Sequence, residues 1–206
     1  MSFSVKHLPL SSRHSLIIIL VTALSLLAFT FNDSVSDFLV YHRDLIAQGQ
    51  LWRLLTGHFF HTNGYHLLLN LAALFMLWAL HGNFYLPIRY ILLFLCSALV
   101  CSFGLYFFSP SITQYVGLSG VLHGVFIWGA LMDIKNKEKT GYLLFVGVCL
   151  KIAHEQFYGA SNDVSNLIEA NVAIDAHLWG AIGGLSFFLL TCIPLFNLKN
   201  NKAAIK

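Results

Sequence analysis

The sequence predicts an all-α membrane protein that forms a bundle of six transmembrane helices in one domain, residues 1–206. Of the 206 residues, 57% are hydrophobic and only 10% are charged, with a mean hydropathy of +0.72. That is more apolar surface than a water-soluble core of this size can bury. The apolar residues are also gathered into six separate segments, each close to the ~20 residues that a helix needs to cross a bilayer.

The six segments lie at about residues 15–31, 65–81, 88–108, 119–134, 141–157 and 172–196. The basic residues between them predict their orientation, because Lys and Arg are enriched on the cytoplasmic side of a membrane. With the N-terminus inside, the inner side holds Lys6, Arg13, Arg89, Lys135, Lys137, Lys139, Lys199, Lys202 and Lys206. The outer side then holds only Arg43 and Arg53. Both termini are therefore predicted to be cytoplasmic.

Two outer loops are predicted to pack against the bundle. Residues 32–64 are rich in apolar and aromatic side chains, which suits a segment lying at the membrane interface. The loop 109–118 precedes a short helix, since Gly120 to Met132 spans only ~20 Å of helix against a hydrocarbon core of ~30 Å. If charged residues fix the inner end of that helix, its outer end and Ser119 lie ~10 Å below the outer face.

Polar side chains occur in the first turns of the second, fourth and sixth predicted helices, which all begin on the outer side. They are His66 and Asn70, Ser119, and His177. Such side chains are unfavourable in a membrane and usually face the bundle interior or water, so the layer is a candidate site. Each of these side chains also has a simpler, structural interpretation. A serine at a loop-to-helix junction often serves only as an N-cap, and a lone intramembrane histidine is more often a hydrogen-bond partner between helices.

Glycines on two of these helices favour the catalytic interpretation. Gly120 and Gly124 share one face of the fourth helix, and Gly180 and Gly184 share one face of the sixth. Small residues four apart let two helices approach closely. Together with the flexible turn at Gly117, this contact predicts that Ser119 and His177 lie within hydrogen-bond reach, which is the arrangement of a serine activated by a general base.

His66 and Asn70 are four residues apart and therefore share one helix face. They are either an ordinary interhelical hydrogen-bonding pair or, beside Ser119, donors that stabilise the oxyanion of an acyl intermediate. The sequence places no carboxylate clearly as a third member. Asp175 precedes His177 by two residues, so it is expected to point to another side of the helix.

Metal chemistry is the main alternative. His58, His61 and His66 cluster around the start of the second helix, and three histidines can bind zinc, but their spacings of three and five fit one helix face poorly. Residues 154–158 begin like the zinc motif HExxH but end in Tyr158. The sequence therefore predicts neither a metal nor another cofactor.

Lys151 and Glu155 are four residues apart on the fifth helix and are predicted to form a buried ion pair. We expect this pair to lie away from the contact of the fourth and sixth helices and to serve structure or recognition of a substrate tail. A proton relay or a Schiff-base lysine is the sharper alternative.

These residues stand in the order and spacing of the rhomboid family of intramembrane serine proteases, which the chain resembles over nearly its whole length. The residues that carry the resemblance are Trp52-Arg53, His61, His66, Asn70, Gly117-Leu118-Ser119-Gly120, Ala176-His177, Gly180 and Gly184. The resemblance implies a Ser119/His177 dyad without a carboxylate. It also implies an oxyanion site formed by His66, Asn70 and the backbone amide of Ser119, with His61 as a structural member of the outer loop.

Three longer runs look like the rhombosortase branch of that family. They are VGLSGVLHG from Val116 to Gly124, Lys151 with Glu155 and Gln156, and DAHLWG from Asp175 to Gly180. The resemblance implies an enzyme of the bacterial inner membrane whose site opens to the periplasm. Its substrates would be exported proteins with a C-terminal Gly-rich motif, a membrane helix and a basic tail.

Two other classes of function compete with a protease. One is a catalytically inactive rhomboid-like binding or chaperone protein, which the presence of both Ser119 and His177 argues against. The other is a small transporter that uses Lys151 and Glu155 as a relay, which predicts internal repeats that the sequence lacks. Nucleic acid is excluded as a partner by the net charge of only +3 and the absence of basic runs, which leaves the lipid bilayer and membrane proteins.

Overall fold

The computed structural model describes residues 8–192, whose regular secondary structure is helical apart from one short pair of strands. The helices are α1 (Ser12–Thr30), α2 (Asn32–Leu39), α3 (Arg43–Ala47), α4 (Arg53–Thr56), α5 (Gly64–His81), α6 (Pro87–Phe108), α7 (Ser119–Lys135), α8 (Lys139–Tyr158), α9 (Asn162–Ile168) and α10 (Ile174–Cys192). The strands are β1 (Tyr41–His42) and β2 (Gln114–Tyr115), and single 3-10 turns cover Gly57–Phe59 and Gly82–Phe84. The predicted all-α fold class is confirmed.

The long helices α1, α5, α6, α7, α8 and α10 occupy the six predicted segments and begin within about three residues of them. Four of them, α1, α5 with its 3-10 extension, α6 and α10, are long and apolar enough to cross a membrane. The chain is therefore a multi-pass membrane protein, while a count of six crossings stays a prediction. Residues 193–196 of the last predicted segment lie outside the described residues, as do Lys6, Lys199, Lys202 and Lys206.

The loop between α1 and α5 is folded into α2, β1, α3 and α4 and is bound to the bundle through β1 and Arg43. β1 pairs antiparallel with β2 from the loop before α7, with Tyr41 opposite Tyr115. The Arg43 guanidinium donates to the carbonyl oxygens of Leu105 and Ser109 at 2.7 Å each, where α6 ends. A cation placed there satisfies terminal carbonyls and complements the helix dipole. The interfacial position of this loop stays a prediction.

Helix α7 lies at the centre of the bundle. Its residues Val121, Val125 and Trp128 are fully buried, and it contacts α5, α6, α8 and α10. A helix that is apolar on all sides is stable only in such an interior position. The surrounding helices expose large apolar side chains outward, among them Ile19, Leu150 and Leu190 at 61%, 65% and 71% exposure. Such a surface is suited to lipid and would promote aggregation in water.

Candidate active site

Ser119 and His177 face each other across the contact between α7 and α10. Ser119 is the first residue of α7, and the N-cap position belongs to Leu118, which makes no side-chain cap. The Ser119 Oγ lies 3.1 Å from Nε2 of His177, a residue in the first turn of α10. The Ser119 hydroxyl therefore bonds a histidine rather than capping its helix, and the predicted proximity of the two side chains is found.

Glycine on both helices makes this proximity possible. A Cβ at Gly180 would collide with the carbonyl of Gly120, and a Cβ at Gly184 would collide with that of Gly124. The two backbones are therefore in direct contact, as the glycine spacing predicts. Since Ser119 and His177 each lie within three residues of this contact, the side chains have little distance to bridge.

Gly117 shapes the turn that presents Ser119. Its φ of +117° lies in a region that other residues rarely adopt. A Cβ at this position would also lie 2.7 Å from Nε2 of His66. The glycine therefore meets two requirements at once, an unusual backbone angle and the close approach of the His66 ring.

His66 and Asn70 line the same space from α5, and both are more than nine-tenths buried. Nδ1 of His66 lies 3.4 Å from the backbone nitrogen of Thr62 and 3.1 Å from the Thr62 hydroxyl, and Nε2 is the ring nitrogen near the Ser119 turn. One N–H of the Asn70 amide donates to the carbonyl of His66 at 2.9 Å, and the second N–H is left for a ligand. His66 and Asn70 thus lie beside Ser119, and their role as oxyanion donors stays a prediction.

His61 packs directly behind His66. The two rings meet edge to face with centroids 5.0 Å apart, and His61 is only 3% exposed. Burial lowers the pKa of His61 to about 3, so this ring is neutral at physiological pH. Its position is consistent with the structural role that the family resemblance implies.

The Lys151/Glu155 pair does not lie where the sequence predicts it. Lys151 Nζ and Glu155 Oε2 are 2.7 Å apart, so the ion pair itself is present, although the Lys151 side chain is 44% exposed rather than buried. The expectation that this pair lies away from α7 and α10 is wrong. Glu155 Oε2 lies 2.8 Å from Nδ1 of His177, the ring nitrogen opposite Ser119. The carboxylate that meets His177 is that of Glu155 and not that of Asp175, whereas the sequence predicted no third member.

Helix lengths explain this position. α7 and α8 are antiparallel and share a short turn at residues 136–138, at the end of the bundle that is predicted to be the inner one. Ser119 lies 135 − 119 = 16 residues from the inner end of α7, and Glu155 lies 155 − 139 = 16 residues from the inner end of α8. At 1.5 Å per residue, both side chains stand ~24 Å above the same turn.

His123 is a member of the cluster that the sequence reasoning missed. Its Nδ1 lies 2.7 Å from the carbonyl oxygen of Ser119, and its Nε2 lies 2.8 Å from Lys151 Nζ. Its ring also stacks on that of His177, with centroids 4.1 Å apart. The signal for it was available, because position 123 is one helical turn from Ser119 and hence on the same face.

The cluster lines a cavity of about 600 Å³ between α5, α7, α8 and α9. Polar side chains gather at one end, and the remaining wall is largely apolar, including Leu69, Leu122 and Val164. A second cavity of about 200 Å³ lies on the side of β2 and α9. Ser119 and His66 line both cavities, so the serine is reached from two directions.

His123, Glu155 and His177 are also spaced closely enough to hold a metal ion. Lys151 Nζ, however, lies 2.8 Å from His123 Nε2, 2.7 Å from Glu155 Oε2 and 3.1 Å from His177 Nδ1. An ammonium group thus stands where a cation would bind. The alternative zinc site on His58, His61 and His66 is not supported, because among residues 8–192 these three histidines do not form a group with the spacing of metal ligands.

Most of this chain resembles known proteins. The family model for the rhomboid domain matches residues 48–194. This chain belongs to the rhomboid family. It is 28% identical over 166 residues to "Rhomboid protease GluP" of Bacillus subtilis (strain 168), a match that covers 81% of this chain but only 31% of that protein. It is 27% identical over 146 residues to "Putative rhomboid protease YdcA" of the same organism, covering 71% of this chain and 68% of that protein.

Proposed function

We propose that this rhomboid-family chain is an intramembrane serine endopeptidase with Ser119 as nucleophile and His177 as general base. The observation that carries the proposal is the 3.1 Å contact between Ser119 Oγ and His177 Nε2 at the end of a large cavity. A hydroxyl and an imidazole in contact form the minimum unit for an activated serine. The printed names of both bacillary relatives, which call them rhomboid proteases, support the same activity.

The reaction follows from the positions of four groups. His177 Nε2 takes the proton of Ser119 Oγ as the oxygen attacks the carbonyl carbon of the scissile bond. The negative charge that forms on the carbonyl oxygen is stabilised by N–H groups of Asn70, His66 and the Ser119 backbone. His177 then gives its proton to the leaving amine, and a water molecule repeats the sequence to hydrolyse the acyl intermediate. None of these steps uses a cofactor.

The two cavities suggest how a substrate reaches Ser119. An extended chain can lie with one side of its scissile bond in the outer, smaller cavity and the other side in the large, mainly apolar cavity. The apolar lining suits a segment that leaves the bilayer. We therefore propose a membrane-anchored protein as substrate, cleaved near the outer end of its transmembrane helix.

We further propose that the enzyme is a rhombosortase of the bacterial inner membrane, with cytoplasmic termini and a site open to the periplasm. Its substrates are exported proteins with a C-terminal Gly-rich motif, a membrane helix and a basic tail. The three runs that resemble the branch support this, because their distinctive side chains touch one another: His123 of the first run, Lys151 and Glu155 of the second, and His177 of the third. Glycines in the substrate would also enter the narrow outer cavity without steric conflict.

The test is labelling of the purified protein by a serine-directed fluorophosphonate. We expect the wild type to be labelled, Ser119→Ala not to be labelled, and Ser111→Ala, a change of an exposed loop serine, to be labelled normally. Labelling that persists in Ser119→Ala contradicts the proposed nucleophile. A wild type that is never labelled favours an inactive rhomboid-like protein or a transporter.

Substrate class needs a second assay in cells. A reporter with a Gly-rich motif, a membrane helix and a basic tail should be cut, and a matched reporter with alanines in place of the glycines should be cut far more slowly. Equal cleavage of both reporters supports a general rhomboid protease and contradicts the rhombosortase assignment.

A further inference from the structure

We propose that Glu155 is a positioning residue that completes a Ser119–His177–Glu155 triad by fixing the tautomer of His177. This inference rests on the proposed protease function and goes beyond it, because the family resemblance implies a dyad without a carboxylate. The observation behind it is the 2.8 Å contact between Glu155 Oε2 and His177 Nδ1, on the opposite side of the ring from Ser119.

A neutral imidazole carries one proton, and its position decides whether the ring can act as a base. A carboxylate accepts hydrogen bonds and cannot donate them, so Glu155 requires the proton to be on Nδ1. Nε2 is then unprotonated and accepts the hydrogen bond from Ser119 Oγ. The same carboxylate stabilises the imidazolium that forms when His177 removes the serine proton. Glu155 thus acts on Ser119 only through His177.

Lys151 makes the carboxylate indispensable. Its ammonium group lies 3.1 Å from His177 Nδ1 and can only donate. Without Glu155, Lys151 would donate to Nδ1 and move the ring proton to Nε2, where it would point at Ser119. That tautomer cannot accept the serine proton. Glu155 and Lys151 therefore compete for one ring nitrogen, and the shorter distance belongs to Glu155.

His123 holds Lys151 in this position. The Ser119 carbonyl can only accept, so His123 donates to it from Nδ1, and His123 Nε2 is left to accept from Lys151. The ammonium group is thereby fixed between α7, α8 and α10. Its charge offsets that of Glu155, whose side chain is only 13% exposed. The four side chains therefore form one network in which each proton position determines the next.

The experiment measures the second-order rate of fluorophosphonate labelling at Ser119, per folded molecule and with a chelator present, for the wild type and three variants. Glu155→Leu leaves Lys151 facing Nδ1 and should slow labelling on the order of 1,000-fold. Glu155→Gln can turn its amide N–H toward Nδ1 and so hold the wrong tautomer, which should slow labelling up to ~10,000-fold. In Lys151→Met/Glu155→Leu the competing donor is gone, and labelling should be at least ~10-fold faster than in Glu155→Leu alone.

A purely structural ion pair predicts a different ranking. Both Glu155 variants would then label at the wild-type rate per folded molecule, and the double variant would gain nothing over Glu155→Leu. Either result overturns the inference, whereas an unlabelled wild type overturns the proposed function itself. If Glu155→Leu does not fold, Glu155→Gln and the uncharged double variant still give the comparison, since replacing both members of an ion pair by apolar residues of similar volume is tolerated.

Asp133→Asn is the matched control, because Asp133 pairs with another buried histidine, His81, near the inner end of α7. Its labelling rate should stay within about threefold of the wild type. A cleavage assay with the Gly-rich reporter adds a second readout. Because Glu155 acts on His177 and does not touch the substrate in this scheme, kcat should fall in Glu155→Gln while KM changes little.

Discussion

Two buried histidine–carboxylate pairs lie at opposite ends of the same bundle, and only one of them has the surroundings of a catalytic pair. The outer pair is His177 with Glu155, with side chains 6% and 13% exposed, and the inner pair is His81 with Asp133, at 0% and 13%. The two pairs are therefore buried to nearly the same extent. The inner contact is 3.2 Å between Nε2 and Oδ2 and lacks hydrogen-bond geometry, whereas the outer contact is a 2.8 Å hydrogen bond.

The two pairs differ in what surrounds the second ring nitrogen of the histidine. In His177 it meets the hydroxyl of Ser119 beside a cavity of about 600 Å³. In His81 it faces the backbone of Gly129 and has no hydrogen-bond partner among residues 8–192. An ionisable residue in a membrane is a functional candidate by default. Burial of such a residue does not distinguish these two pairs, whereas contact with Ser119 beside a cavity does.

The largest difference should appear when each histidine is replaced by glutamine. His177→Gln removes the base and should lower fluorophosphonate labelling and reporter cleavage at least ~1,000-fold. His81→Gln should lower the amount of folded protein but leave the labelling rate per folded molecule near that of the wild type. Thermal unfolding in detergent, measured beside the labelling rate, distinguishes the two effects. Equal losses of labelling rate in both variants would remove the distinction drawn here.

Two asparagines give the next contrast. Asn70 and Asn136 both donate from Nδ2 to the carbonyl four residues earlier, at 2.9 Å and 2.7 Å. Only Asn70 lines the cavity with Ser119. Asn70→Ala should therefore slow cleavage on the order of 100-fold through the loss of one oxyanion donor. Asn136→Ala should leave cleavage unchanged, and kcat for the Gly-rich reporter is the quantity to measure. Indifference to both changes would exclude Asn70 from the site.

The sequence predicted the contact of Ser119 with His177 but not that of His81 with Asp133, because only the first contact follows from local sequence patterns. Ser119, His177 and the glycines of α7 and α10 are short-range patterns, so their meeting follows from helix periodicity and orientation. The contact of Glu155 with His177 depends on how α8 is rotated about its own axis, which its apolar residues do not determine. His81 and Asp133 belong to different helices, and no local pattern connects them.

Other features of the fold were not predicted from the sequence, for a related reason. The strand pair β1–β2 joins residues more than 70 positions apart, with only two residues from each chain segment. Arg43 bonds to backbone carbonyl oxygens at the end of α6. Every residue has such an oxygen, so the pattern of side chains does not predict these contacts. Long-range backbone contacts of this kind are decided by tertiary packing. The all-α class and the polar layer, in contrast, follow from composition and from residues within one or two helical turns.

Two glycines at the α7–α10 contact, Gly180 and Gly184, lie at different distances from His177 and can be compared. Gly180→Ala and Gly184→Ala each place a methyl group against the backbone of α7, and overpacking of this kind destabilises by ~1–3 kcal/mol. Gly180 is the closer of the two to His177, so only Gly180→Ala should also slow Ser119 labelling per folded molecule. Gly147→Ala is the control, because a Cβ there meets nothing within 4 Å. Unfolding temperatures of the three variants test the packing. Wild-type stability in Gly180→Ala would contradict the close backbone contact.

The smallest expected effect is a loss of stability at acidic pH, to which His58 and His61 at the outer end of the protein contribute. Burial lowers the pKa of His61 to about 3 and that of His58 to about 4, whereas a histidine in the unfolded chain titrates near 6.5. Between these values the unfolded chain binds more protons than the folded one, so stability is fully present above about pH 6.5 and falls as pH decreases. Each histidine contributes at most ~1.4 kcal/mol per pH unit in that window. His61→Gln removes one titrating group, so its unfolding free energy should depend less steeply on pH between 6.5 and 5 than that of the wild type. An unchanged slope would mean that the His61 ring is protonated, or reached by water, in the folded protein.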